Sequence, residues 1–273
     1  MSTLSPDSPF WGPVTSTIDW CEENYVVSRY IAEFFNTTTN LVFVFLSLYG
    51  IRNTYQNDMP GRFILAYFAI MFIGFGSWCF HMTLQYEMQL LDELPMIYGA
   101  SILTWHIFEI YPENRYGIWL PLALIGYSVF VTWSYLIIKN PVFHQVSYAI
   151  LVFTVVFRST SLVKRLPKDS PERPQLAFLL KLAASGFLGA FLVWNVDNQF
   201  CDQLRAWRGT VNVAVGSISQ LHGFWHIMTG LGVYFYVVYN EYIYQIFTGR
   251  GDQFKLIWVA GVIPRLIKVQ KKD

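Results

Sequence analysis

The chain has 273 residues, of which 54% are hydrophobic, 18% aromatic and only 14% charged, far below the roughly 25% charged content of a soluble domain. A formal net charge of +1 supplies no field to attract nucleic acid, so what matters is where the charges fall along the chain. These values exclude an ordinary soluble globule and indicate an all-α, polytopic membrane protein built as one domain.

The opening stretch, MSTLSPDSPFWGP, is polar and lacks both a basic n-region and an apolar h-region, so no cleavable signal is expected. Residues 1–32 read as a segment outside the membrane. Hard oxygen ligands recur there at Asp19, Glu22 and Asn24, and again at Glu33, and a backbone carbonyl can fill a gap in such a set, as calcium prefers. A solvated acidic lead-in to a helix explains the same residues, because a helix N-terminus favours anions. The glycine and closing glutamate of an EF-hand loop are missing.

Seven apolar segments follow that are long enough to span, a crossing taking about 20 residues. They cover residues 33–51, 63–83, 90–108, 117–137, 142–157, 176–194 and 215–239, and residues 240–273 read as a tail. The fifth is short because Pro141 and Arg158 bound it. Turn signals lie between them at Asn57 to Gly61, Tyr111 to Asn114, Lys139 to Pro141 and Pro167 to Pro174. No internal repeat, low-complexity tract or second domain is evident.

Histidines inside such segments are costly without a specific partner. His222 and His226 stand four apart and share one helix face, and His81 comes from the second segment. Two ligands from one helix and one from another make an open metal site. Zinc on three neutral imidazoles keeps a fourth position for water and lowers the pKa of that water to about 7. Ser77 precedes His81 by one turn and can donate to an oxyanion. Asp92 opens the third segment, within reach across a tight turn, and can carry the proton. His106 and His144 lack such companions and read as structural.

Charge sidedness orients the chain. With the N-terminus in the lumen, the inner side receives Arg52, Arg62, Arg115, Arg158, Lys164, Arg165, Lys168, Arg173 and the basic tail. The outer side receives Arg29, Lys139, Arg205 and Arg208. His81, Asp92 and His222 then approach the same outer leaflet. Cys21 and Cys201 also fall on that side, where an oxidising lumen permits a disulfide, while Cys79 reads as a buried thiol. Asn36-Thr37-Thr38 is a formal glycosylation acceptor, discounted because it sits at the membrane surface.

The stretches DWCEENY (19–25), GSWCFHMTL (76–84), YEMQLLDELPMIY (86–98), FHQV (143–146), WNVDN (194–198) and LHGFWH (221–226) resemble the signature of the alkaline ceramidases. The likeness runs from Trp11 to about Tyr236. It implies a seven-helix membrane hydrolase that cleaves ceramide to a sphingoid base and a fatty acid, in the endoplasmic reticulum or Golgi membrane, with no obligate protein partner. It further implies zinc on His81, His222 and His226, with Asp92 and Ser77 completing the active centre. Calcium is implied on Asp19, the Trp20 carbonyl, Glu22, Asn24 and Glu33, as is a disulfide between Cys21 and Cys201. The competing classes are a receptor with negligible hydrolysis and a transport or structural protein whose histidines only pack.

Overall fold

The computed structural model describes residues 8–269, and the described chain forms seven long antiparallel rods. α1 (Phe34–Thr39) continues into α2 (Leu41–Gln56) through Asn40, which keeps right-handed helical dihedrals, so the two make one rod. Next come α3 (Gly61–Thr83), α4 (Tyr86–Phe108), α5 (Trp119–Ile138), α6 (Pro141–Arg165) and α7 (Glu172–Gln199). Two short helices, α8 (Cys201–Arg208) and α9 (Val213–Gly216), lead to α10 (Leu221–Phe247). The antiparallel pair β1 (Phe254–Val259) and β2 (Ile263–Lys268) closes the chain.

Helices are the form this composition must take in lipid, because each satisfies its own backbone groups. The α1–α2 rod, α3, α5, α6 and α7 are long and apolar enough to cross a membrane. α4 and α10 fall short of that measure because they carry the polar residues the bundle encloses, among them Glu93, His222, His226 and Glu241. Large apolar rings face outward instead, such as Phe45, Phe72, Trp133 and Phe153, which lipid tolerates and water would not. On α5 the buried residues are Val131 and Tyr135, so nearly every face of it meets lipid.

Connections fix two ends of the bundle. At one end Glu33 meets His81 at the end of α3, and Arg205 and Arg208 of α8 reach the Cys21 carbonyl. At the other end Arg62 donates to the Glu109 carbonyl (2.7 Å) and Arg158 lies over the Phe108 ring. The hairpin packs at this second end, where Asn57 holds the Leu266 carbonyl and the Lys268 N–H.

Three boundaries differ from those expected. The fifth rod runs through Arg158 to Arg165, because stacking on Phe108 lets the guanidinium stay at the bundle edge without ending the helix. The last rod starts at Leu221, not 215, after a separate turn at α9. It ends at Phe247, not 239, because Asn240, Glu241 and Gln245 are buried and Glu241 accepts from the Thr54 hydroxyl (2.7 Å). Residues beyond it are not a plain tail. Phe254, Leu256, Pro264 and Leu266 alternate onto one buried face, and Ala260 and Gly261, both at positive φ, make the two-residue turn that strand twist favours. Residues 271 and 272 of the basic tail lie outside the described residues.

One close approach sets how α3 and α4 pack. Pro95 lies inside α4 and has no N–H, which frees the carbonyl one turn before it, that of Leu91. The backbone of Gly76 on α3 nestles against that carbonyl, where an added Cβ would meet the oxygen at 2.1 Å. A Gly76→Ala substitution must therefore separate α3 from α4, at a cost of about 1–3 kcal/mol by analogy with overpacked cores. A clear drop in the melting temperature of the purified protein is expected, and an unchanged value contradicts this account of the packing.

Candidate metal centre and active site

His81 stands in the last turn of α3, and His222 and His226 occupy the first two turns of α10. All three are buried, with ring centroids 5.0, 4.9 and 4.7 Å apart. One ligand nitrogen from each lies within 4.8 Å of the others, the group among the described residues whose geometry suits a metal ion.

The surroundings prepare these rings as ligands. The Glu33 carboxylate holds His81 Nδ1 at 2.5 Å, and His81 Nε2 is then buried with no partner. Thr39 Oγ1 meets His226 Nδ1 at 2.9 Å, and Trp20 stacks on His222 at 4.0 Å. His222 Nδ1 is likewise buried without a partner. A buried nitrogen lone pair left unpaired is expensive, and a carboxylate on the far ring nitrogen is the usual support of a metal-bound imidazole. The donor set therefore fits zinc.

Asp197 of α7 lies beside the start of α10. Its carboxylate accepts from the Cys21 N–H (3.3 Å) and stands close to the His222 backbone N–H. Cys21 and Cys201 are disulfide-bonded, with Cα atoms 5.2 Å apart. Arg205 donates to the carbonyls of Cys21, Trp20 and Glu22 (3.0–3.2 Å). The N-terminal segment is thereby strapped over the histidines.

The acidic set splits between roles. Glu22 accepts from the Phe35 and Asn36 N–H groups (2.7 and 2.8 Å), capping α1 with charge where a helix N-terminus wants it. Burial, with Glu33 adding, pushes its carboxyl up to about 7. Asp19 accepts from its neighbour Trp20 N–H and from Asn24 Nδ2. Asn24 Oδ1 and Glu33 Oε1 are buried acceptors with no donor. Unpaired oxygens beside clustered carboxylates suit a hard cation, so the residues present fit calcium, although Glu33 is shared with His81.

Ser77, one turn before His81, is buried, and its hydroxyl lies close to the carboxylate of the half-buried Asp92. The Gly76–Leu91 contact puts these two side chains side by side. Neither lies in the metal-ligand group, which holds the histidines alone.

Sequence reasoning missed Thr39 and Asp197, whose hydroxyl and carboxylate carry no signature of their own. It also gave Glu33 only to calcium, where spacing offered no hint of His81. The other two histidines do lie apart. His144 Nε2 bonds the Glu93 carbonyl at 2.7 Å, and His106 packs between Phe63 and Trp105. Asn36 is buried, with no room for a glycan. Cys79 is a free, half-buried thiol.

The ceramidase family model matches residues 12–267. Alkaline ceramidase 3 of Mus musculus is 44% identical over 255 residues, covering 92% of this chain and 93% of that protein. Alkaline ceramidase YPC1 of Saccharomyces cerevisiae is 37% identical, over 94% of this chain and 85% of that protein. An alkaline ceramidase of Arabidopsis thaliana is 29% identical over 97% of this chain and 96% of its own length.

Because Thr39 fixes the orientation of His226, Thr39→Val should weaken metal binding by about 10–100-fold, the usual effect of removing such support. Competition with a calibrated chelator measures this, and an unaltered affinity removes Thr39 from the site. Reducing the Cys21–Cys201 bond should lower the melting temperature, in line with the roughly 2–4 kcal/mol that such links contribute.

Proposed function

This chain belongs to the ceramidase family, and from that premise we propose that it is an alkaline ceramidase that uses zinc on His81, His222 and His226 to cleave the ceramide amide bond, yielding a sphingoid base and a fatty acid. The carrying observation is the buried histidine trio with unpartnered nitrogens, with Ser77 one helical turn before His81 and close to Asp92. His81, His222 and His226 would hold the zinc, which would supply Lewis-acid polarisation of the amide carbonyl and a water made nucleophilic near neutral pH.

The protein's own groups supply the rest. Asp92 takes the proton of the attacking water and later delivers it to the departing amine nitrogen. Its pairing with Ser77 orients the carboxylate for both transfers. Once Asp92 is protonated it is a weaker acceptor, and the Ser77 hydroxyl can turn its hydrogen toward the oxyanion. Glu33 and Thr39 keep His81 and His226 in register. The apolar bundle admits a lipid substrate from the bilayer and keeps competing water scarce.

Calcium on Asp19, the Trp20 carbonyl, Glu22, Asn24 and Glu33 would neutralise the acidic strap and hold Glu33 against His81. That link makes calcium a modulator of the metal centre. The sidedness of Lys and Arg supports a lumenal N-terminus and a cytosolic C-terminus, in the endoplasmic reticulum or Golgi membrane. Arg29, Lys139, Arg205 and Arg208 all lie at the histidine end of the bundle.

Purified protein should contain zinc and release fatty acid from ceramide, and His81→Ala should lose both. Asp92→Asn should keep the metal while turnover falls by about 10²–10⁴-fold, the usual contribution of general acid–base catalysis. Intact turnover in His81→Ala would falsify the reading. For calcium, Asp19→Ala is the cleaner probe, since its carboxylate bonds only to near neighbours in the strap. The calcium dependence of the rate should shift to higher concentration, and superimposable titrations of variant and wild type would remove calcium from the strap.

A further inference from the structure

At the end of the bundle opposite the histidines, a pocket of about 250 Å³ lies between α2 and β2, lined by Tyr49, Arg52, Asn53, Gln56 and Arg265. We propose that this pocket is a binding site for a phosphate group, held between the guanidinium groups of Arg52 and Arg265.

The backbone builds the site deliberately. Asn57, at the end of α2, grips the Leu266 carbonyl (3.1 Å) and the Lys268 N–H (2.6 Å), and Tyr234 of α10 donates to the Pro264 carbonyl (2.8 Å). These bonds pin β2 on both sides of Arg265 and turn that residue toward α2. Arg52, Gln56 and Tyr49 follow at helical spacing on the facing side, so one helix face and one strand residue converge.

Charge is left uncompensated there. The ion pairs of this region go elsewhere, Lys268 to Asp58 (3.0 Å). Arg52 and Arg265 have no carboxylate partner among the described residues. Arg265 Nε is buried with no hydrogen-bond acceptor, and a buried donor without an acceptor is costly. No acidic side chain lines the pocket. Two guanidinium forks facing one cavity repel each other until an anion sits between them, and their planar donors match phosphate oxygens.

Size and setting narrow the ligand. The volume is below the roughly 300 Å³ at which pockets accept whole drug-sized molecules, and suits a single charged group. Leu48 and Tyr55 on the same helix are exposed, as residues at a lipid interface are. A phosphate on a lipid headgroup and a free phosphate share this chemistry, and they can be separated experimentally.

Delipidated full-length protein would be titrated with phosphatidic acid in micelles, with diacylglycerol of the same chains, and with inorganic phosphate, following the melting temperature. A rise with phosphatidic acid and none with diacylglycerol is expected. An additional rise with inorganic phosphate identifies a site open to free phosphate, and its absence identifies a lipid headgroup. Arg52→Ala and Arg265→Ala should each weaken the response at least about tenfold, as loss of one charge-assisted contact implies. Arg52 is exposed, so its variant keeps the test valid if Arg265→Ala does not fold. Lys255→Ala, on the neighbouring strand, should bind like wild type. No rise with either phosphate compound, or an equal loss in Lys255→Ala, overturns the proposal.

Discussion

A polar side chain beneath a lipid surface has no water to fall back on, so its partners must come from the protein or from something the protein binds. Much of this bundle's arrangement answers that constraint. The histidine trio, the Ser77–Asp92 pair, Glu33 and Asp197 gather at one end. Thr54, Glu241 and Gln245 gather toward the other. Between and around them, large apolar side chains face outward to lipid.

Tightness at the histidine end comes from backbone contacts more than from side-chain volume. Pro95 leaves a carbonyl free, Gly76 lets α3 approach it, and the approach brings Ser77 close to Asp92. The strap from Asp19 to Glu33 then covers the histidines, tied by the disulfide and by two arginines. Glu33 belongs to the strap and touches His81, so a change in the strap is felt at the histidine trio through one carboxylate. This is a direct contact and needs no longer pathway.

The two ends carry different candidate sites. Unpaired oxygens of Asn24 and Glu33 stand among the carboxylates of the strap, while Arg52 and Arg265 line the pocket beside the hairpin, which has no acidic side chain in its lining. A membrane protein held across a bilayer meets different ions and headgroups on its two faces, and this difference matches that setting.

Hydropathy and charge spacing were enough to read the all-α membrane class, the positions of the seven rods and the i, i+4 pair His222 and His226, because each depends only on local composition and helical period. The hairpin of β1 and β2 was not foreseen, because residues 240–273 were expected to be a tail and two six-residue strands give only a short alternating signal. What tertiary structure alone decided was which groups meet. That Glu33 bonds His81, that Thr39 supports His226, that Asp197 bonds Cys21 beside the start of α10 and that Arg265 and Arg52 line one pocket are relations between segments far apart in the chain. Spacing along a sequence records the period of one helix. It carries no record of the distance between two, which is set by how closely their backbones pack.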